Sequence, residues 1–224
     1  MNRWCVPLLL ILAAGCGRQE SSAPEAAPAT APMVEAHFVI PGDYAQSTTV
    51  ADLQTRFGKS NTRVIEDPDR RLVLFPDDPS RRARVRFHDS DKLEELASIE
   101  VRDPGSRWRG KHGVQVGMSL DQLRALNGKP FNLYSSLDGS SARVHDQWSV
   151  AQDADDGSLG RFDVEEGDHV YFEVEFGARD PAALPGPFPP DEPLSSEDPR
   201  LAGKGEAIVV TGFAGTTSLD DEWD

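Results

Sequence analysis

Between residues 170 and 176 the chain alternates without a break, and that pattern limits what it can fold into more than any other. Val170, Phe172, Val174 and Phe176 are apolar, and the intervening Tyr171, Glu173 and Glu175 are not. A period of two places alternate side chains on opposite faces of a strand, one dry and one wet. The same rhythm recurs at Ala83 to Phe87, where Val85 and Phe87 oppose Arg84 and Arg86. It recurs again at Ala97 to Val101, where Ile99 and Val101 oppose Ser98, Glu100 and Arg102. Further strands are expected at Leu72 to Phe75, Arg143 to Val150 and Ala207 to Phe213. One-sided alternation of this kind belongs to antiparallel sheets packed on one face and solvated on the other.

Helices are signalled twice, 70 residues apart. Thr49 and Ser119 are N-cap residues, with Asp52 and Gln122 at the capping-box position three later. Val50, Leu53 and Phe57 form one apolar stripe, Leu120, Leu123 and Leu126 the other, and Gly58 and Gly128 supply left-handed stops. The fold class read from these signals is α+β: two similar units, each a short helix packed on an antiparallel sheet. The first unit is assigned to 37–111 and the second to 112–213, with a Pro- and acid-rich loop at 177–205 and an acidic tail at 214–224. Loops of that length are functional or disordered as a rule.

The start of the chain carries an address. Arg3 is a positive n-region, Val6 to Ala14 is apolar, and Leu12-Ala13-Ala14-Gly15-Cys16 ends in small residues before a cysteine. The apolar run is about half the roughly 20 residues a membrane-spanning helix needs. The order resembles a bacterial lipoprotein signal, in which 1–15 is removed and Cys16 is acylated. Gly17 after the cysteine implies, by the same resemblance, the outer membrane. Residues 16–36, rich in Ala, Pro and Ser, read as a disordered lipidated tether that spans roughly 25 Å as a flexible chain. Since Cys5 leaves with the signal and Cys16 is acylated, no thiol remains for a disulfide, a metal or a nucleophile.

Charge is unevenly distributed. The chain carries a formal net charge of −15. Residues 81–111 carry about +3, whereas 152–224 carry about −15. Nucleic acid is a poor partner for so acidic a chain, because its binding depends on neutralising phosphates. The basic stretch sets Arg82, Arg84, Arg86 and Arg102 on one strand face, with Arg107-Trp108-Arg109 beyond it. Arginine beside tryptophan is the composition of interface hot spots. Lipid phosphates, pairing with the acidic half of the chain, or plain solvation are the competing uses of these charges.

Catalytic signals are thin. His37, His88, His112, His145 and His169 lack zinc-ligand spacing, neither Gly139-Ser140-Ser141 nor Gly157-Ser158-Leu159-Gly160 completes a nucleophile elbow, and no glycine loop for phosphate is present. Asp153-Ala154-Asp155-Asp156-Gly157 lacks the glycine and glutamate of a calcium loop and reads as an acidic turn. Arg143, His145 and Gln147 project together, as do Tyr171, Glu173 and Glu175. The two glutamates stand roughly 7 Å apart, near glycosidase spacing, but without a shielded cleft both stay ionised. Asp146 falls in phase with Val144, Trp148 and Val150, an inward charge of the sort that guards edge strands.

Val116-Gly117-Met118-Ser119, the helix after it, and the closing Leu126-Asn127-Gly128-Lys129-Pro130 resemble the small outer-membrane assembly lipoproteins of the SmpA/OmlA type and the related tandem-repeat β-lactamase inhibitor fold. Residues 118–134 carry most of the likeness and 48–65 a weaker part. Phe75-Pro76-Asp77-Asp78-Pro79 and Asn127-Gly128-Lys129-Pro130-Phe131 also read like an uncharacterised group of bacterial envelope proteins. The resemblance implies a helix-on-sheet fold that binds other proteins; it carries no site residues, because the motifs are structural.

The expectation is therefore a non-enzymatic lipoprotein facing the periplasm. It is held in the bilayer through acylated Cys16 and binds an envelope protein through Arg84, Arg86, Arg107, Trp108, Arg109 and Tyr171. No cofactor, metal or nucleic acid is called for. The alternatives are a hydrolase of glycans or esters using Glu173, Glu175 or His145, and a calcium-dependent envelope module.

Overall fold

The alternating segments become strands of one antiparallel sheet. The computed structural model describes residues 36–66, 68–145, 148–149, 160–163, 170–190 and 193–217. The expected signal, Cys16, the tether, Asp146, Gln147, His169, the turn at 153–157 and residues 218–224 lie outside them. In chain order the elements are β1 (Val39–Ile40), α1 (Val50–Phe57), β2 (Thr62–Ile65), β3 (Arg71–Leu74), β4 (Ala83–Asp89), β5 (Glu94–Val101) and β6 (Arg109–Gly110). They continue with α2 (Leu120–Asn127), β7 (Asn132–Ser135), β8 (Ser141–Val144), β9 (Val170–Ala178), β10 (Leu194–Ser195) and β11 (Ile208–Thr217).

Nine strands form the main sheet in the order β10-β7-β8-β9-β11-β5-β4-β3-β2, and β1 and β6 make a short parallel pair. After α1 the strands β2 to β5 meander toward the middle; after α2 the strands β7, β8, β9 and β11 meander toward it from the other side. The last strands of the two meanders, β5 and β11, meet there, pairing Val101 with Phe213 and Ser98 with Thr216. Left apart, each would be an open edge, and pairing satisfies both rows of backbone groups at once.

Both helices begin with the expected capping boxes, Thr49 with Asp52 and Ser119 with Gln122. Gly128 closes α2 in the left-handed conformation. Leu53 and Phe57 from α1, and Leu120 and Leu123 from α2, join the inward residues of the strands in a single apolar cluster. The core therefore runs through 37–111 and 112–213 without interruption, beneath one sheet rather than two.

Several boundaries differ from the sequence reading. β11 runs on to Thr217, so 214–217 are strand and not tail. Ala214 and Thr217 are buried between neighbouring strands, which the small residues Ala214-Gly215-Thr216-Thr217 disguise. The short strands β2 and β7 were not foreseen, and β8 ends at Val144.

The Pro-rich loop, in its described residues, is packed rather than loose. From the end of β9 it crosses to the far edge, where Leu194 pairs with Leu133. Phe188, Leu194, Ser196 and Leu201 are buried. Phe131 N–H donates to Ser196 Oγ at 3.1 Å, and Phe188 N–H donates to the Gly139 carbonyl at 3.2 Å. Gly139 has φ +67, and a Cβ there would lie 2.3 Å from the Phe188 carbonyl oxygen, so this turn requires glycine. The loop thus covers the edge of β7, one of the standard protections against stray strand pairing.

Candidate functional site

With both helices packed on the apolar face, the other face of the sheet is left to polar side chains drawn from both halves. Strand register sets them in rows. Arg84 pairs with Glu100, Glu100 with Ala214, and Ala214 with Glu173. In the next row Arg86 pairs with Ser98, Ser98 with Thr216, and Thr216 with Tyr171. Arg86 and Tyr171 are thus three strand spacings apart, about 14 Å.

An ion-pair network occupies the middle of this face. Arg102 Nη1 and Nη2 donate to the two carboxylate oxygens of Glu175 at 2.9 and 2.6 Å, and Arg102 Nε donates to Glu100 at 2.8 Å. Arg143 Nε adds a donation to Glu175 at 3.2 Å. Burial works to raise the Glu175 pKa, but the hydrogen bonds and charges of Arg102 and Arg143 outweigh it and hold the carboxyl below its usual range. Glu173, two residues along β9, goes the other way. Burial pushes its pKa up against the opposing charges of His145 and Arg143 and a 3.4 Å hydrogen bond donated by Thr216. The two glutamates read from the sequence as an equivalent ionised pair are therefore set apart by their surroundings.

The face opens into a depression of ≈ 560 Å³ that runs from Arg71, Arg84 and Arg86 of β3 and β4, past Ser98, Glu100 and Thr216, to Arg143 and Glu173. His145 lies against the Tyr134 ring, centroids 5.4 Å apart and tilted, within electrostatic reach of Glu173. Among the described residues, no group of three or more His, Cys, Asp or Glu side chains is placed to hold a metal ion. Among them also, no helix is long and apolar enough to cross a membrane.

The residues expected to bind a partner fall in three places. Arg84, Arg86 and Tyr171 lie on the polar sheet face. Trp108 does not: it is fully buried, with ring neighbours Phe38 at 4.9 Å and Phe57 at 5.9 Å, and its Nε1 donates to the Arg81 carbonyl at 2.7 Å. The hot-spot reading of Trp108 is corrected on that ground, since an indole beneath α1 with its N–H satisfied is core. Arg107 and Arg109 flank it on the helix side of the sheet. Arg107 stands over the Phe38 ring at 5.6 Å, and Arg109 Nη1 donates to the carbonyls of Ser106 and Trp108. Arg82 is held by Asp103 at 3.2 Å, within its own half; Arg102 pairs with Glu100 of that half and with Glu175 of the acidic half, so pairing with the acidic half accounts for Arg102 alone of these two.

Sequence reasoning missed Arg71, Ser98 as a wall residue, and Thr216. Arg71 opens a strand four residues long, too short for alternation to register, and Thr216 lies in the stretch that reads as tail. Gly212 was missed too, although it leaves the gap that Arg102 crosses: a Cβ there would meet Arg102 Cγ at 3.1 Å. Compared with known proteins, the chain matches no family model, no curated protein and no solved structure.

Proposed function

We propose that this protein is a membrane-anchored, non-enzymatic lipoprotein of the outer membrane, facing the periplasm, that binds an envelope protein through the polar face of its sheet. Acylated Cys16 is the anchor in this reading and the tether after it holds the folded part clear of the headgroups. The observation that carries the binding role is the polar face itself: nine strands wide, uncovered by either helix, and furnished with arginine, glutamate and tyrosine from both halves. Over the described residues this face is open apart from the depression lined by Arg71, Arg84 and Arg86, whereas an enzyme of this size carries a shielded cleft.

The two halves are proposed to be repeats. In support stand the two capping boxes 70 residues apart and the two four-strand meanders that follow them in the same order. The likeness to the tandem-repeat inhibitor fold rests on the motifs Val116-Gly117-Met118-Ser119 and Leu126-Asn127-Gly128-Lys129-Pro130.

A photocrosslinking amino acid at Tyr171, compared with one at Leu137 on the β7–β8 turn, tests the binding role in the native envelope. Leu137 is 94% exposed and off the sheet face. One envelope protein recovered from the Tyr171 position and not from Leu137 is the result expected. Equal recovery from both, or none from either, would overturn the reading. The anchor is tested separately: Cys16→Ala should release the protein from the membrane fraction.

A further inference from the structure

The arginines of β3 and β4 are arranged unlike the other charges on the polar face. Arg84 and Arg86 are two residues apart on one strand and point the same way, which separates their stems by about 7 Å. Continuing the β3–β4 ladder by one residue brings Arg71 opposite Arg86, and side chains so placed start about 5 Å apart. Like charges directly across a ladder repel and weaken the sheet.

Among the described residues the neighbouring carboxylates form no ion pair with Arg84 or Arg86, although Glu100 stands across the ladder from Arg84. Glu100 accepts from Arg102, and Glu175 is held by Arg102 and Arg143. Glu173 lies two strands beyond Glu100 and accepts from Thr216. Asp69, on the rim, meets Arg71 only through its backbone carbonyl, at 3.1 Å. Among the described residues Arg84 and Arg86 have no hydrogen-bond or ion-pair partner, and Arg71 Nε is buried with none. Elsewhere on this face arginines and glutamates pair closely, so the unrelieved cluster is local.

We infer that the depression beside Arg71, Arg84 and Arg86 is a binding site for a phosphoryl group. Arg84 and Arg86 present two guanidinium forks side by side, and Arg71 adds a third from the neighbouring strand. A carboxylate, with two oxygens in one plane, answers one fork; a phosphate, with oxygens arranged tetrahedrally, answers several. The Ser98 hydroxyl, across the ladder from Arg86, supplies a further donor. Glu100, fixed by Arg102, lines the depression between the arginines and the seam and repels an anion from that end. The depression, ≈ 560 Å³ in all, runs on past Glu100 to Arg143 and Glu173, so beyond a bound phosphate it leaves room for the group attached to it. That group is either a lipid headgroup or a soluble phosphate ester. The inference does not require the protein-partner reading, and the two can fail separately.

Isothermal titration of the full chain at low ionic strength tests it with four probes: inorganic phosphate, pyrophosphate, glycerol 3-phosphate, and glycerophosphoglycerol as the headgroup diester. Saturable binding of phosphate or pyrophosphate is expected, weakened at least about tenfold in Arg84→Gln/Arg86→Gln. Arg63→Gln, which removes an edge arginine paired with Asp77, should leave it unchanged. Arg84→Lys/Arg86→Lys keeps the charge but loses the forks and should also bind less tightly. Binding of the diester in addition assigns the lipid headgroup as the source, whereas monoester binding alone assigns a soluble ester. No saturable binding, or full affinity in the glutamine or the lysine pair, would overturn the proposal. Melting curves of all variants verify that they remain folded.

Discussion

Arg102 reaches across the seam between β5 and β11 to hold both carboxylate oxygens of Glu175 on β9, at 2.9 and 2.6 Å. The residue between them in the ladder is Gly212, whose missing side chain leaves the path open. Three strands are thus clipped together over the one place where the halves of the sheet meet. Arg102→Met leaves Glu175 half-buried with only Arg143 near it, and is expected to cost about 2 kcal/mol. For a chain of this size that lowers the melting temperature by roughly 4–8 °C. Glu175→Gln alone should cost less, and a double-mutant cycle should return a coupling of about 1–2 kcal/mol. Additive losses would mean that the pair does not clip the seam.

Gly212→Val attacks the same contact without touching either charge. Its branched side chain would fill the space above the strand and push the Arg102 stem aside, since a Cβ alone already lies 3.1 Å from Arg102 Cγ. The expected loss is about 1–3 kcal/mol. In the Arg102→Met background the loss should shrink, because methionine can move where a bonded arginine cannot. Denaturant midpoints of the four proteins decide it.

Trp108 and Arg107 separate core from surface in one dipeptide. Trp108→Ala empties a fully buried site ringed by Phe38, Phe57 and Tyr44, and is expected to cost about 3–5 kcal/mol. Arg107→Ala, exposed, should stay within about 0.5 kcal/mol of the parent. Urea unfolding followed by tryptophan fluorescence measures both. A stable Trp108→Ala protein would contradict the packing described above.

What the sequence revealed and what it hid follow from range. The capping boxes of Thr49 and Ser119 and the alternation of β9 are local signals, written within a few residues, and both are present as read. The seam between β5 and β11 joins residues more than a hundred positions apart, and no local pattern announces it. The arginine cluster was half visible: Arg84 and Arg86 share a strand, but Arg71 joins them only through the ladder. Trp108 was misjudged because composition alone cannot say on which side of a sheet a two-residue strand turns its neighbours.

Asn127, the last residue of α2, is a buried polar hub. Its Nδ2 donates to the carbonyls of Lys129 at 2.7 Å and Trp148 at 2.6 Å, and its Oδ1 accepts from Phe162 N–H at 3.4 Å. Only 1% of it is exposed, so water cannot replace these partners. Asn127→Ala strands two carbonyls and one N–H and is expected to cost about 2–4 kcal/mol. Amide exchange at Phe162 should accelerate more than exchange in β4, since the damage is centred beside α2. Uniform acceleration would show that the hub has no local role.

Glu173 makes the stability of the fold depend on pH in a direction opposite to most carboxylates. Burial raises its folded pKa above the ordinary glutamate value, which the unfolded chain keeps. Between the two values the folded protein holds a proton that the unfolded chain has lost. The stability this group provides is therefore fully present below the unfolded pKa and is lost as pH rises through the folded one. Glu173→Gln carries no such titration. Relative to the parent, the variant should gain melting temperature as pH rises from about 4 toward neutrality and level off beyond the folded pKa. Glu175 has the reverse sign, because Arg102 and Arg143 hold its pKa down despite burial. Its contribution disappears as pH falls through its folded pKa, so comparing Glu173→Gln with the parent at each pH, rather than either protein alone, isolates Glu173. A difference between the two melting curves that stays flat across this range would show that the carboxyl titrates as it does in the unfolded chain.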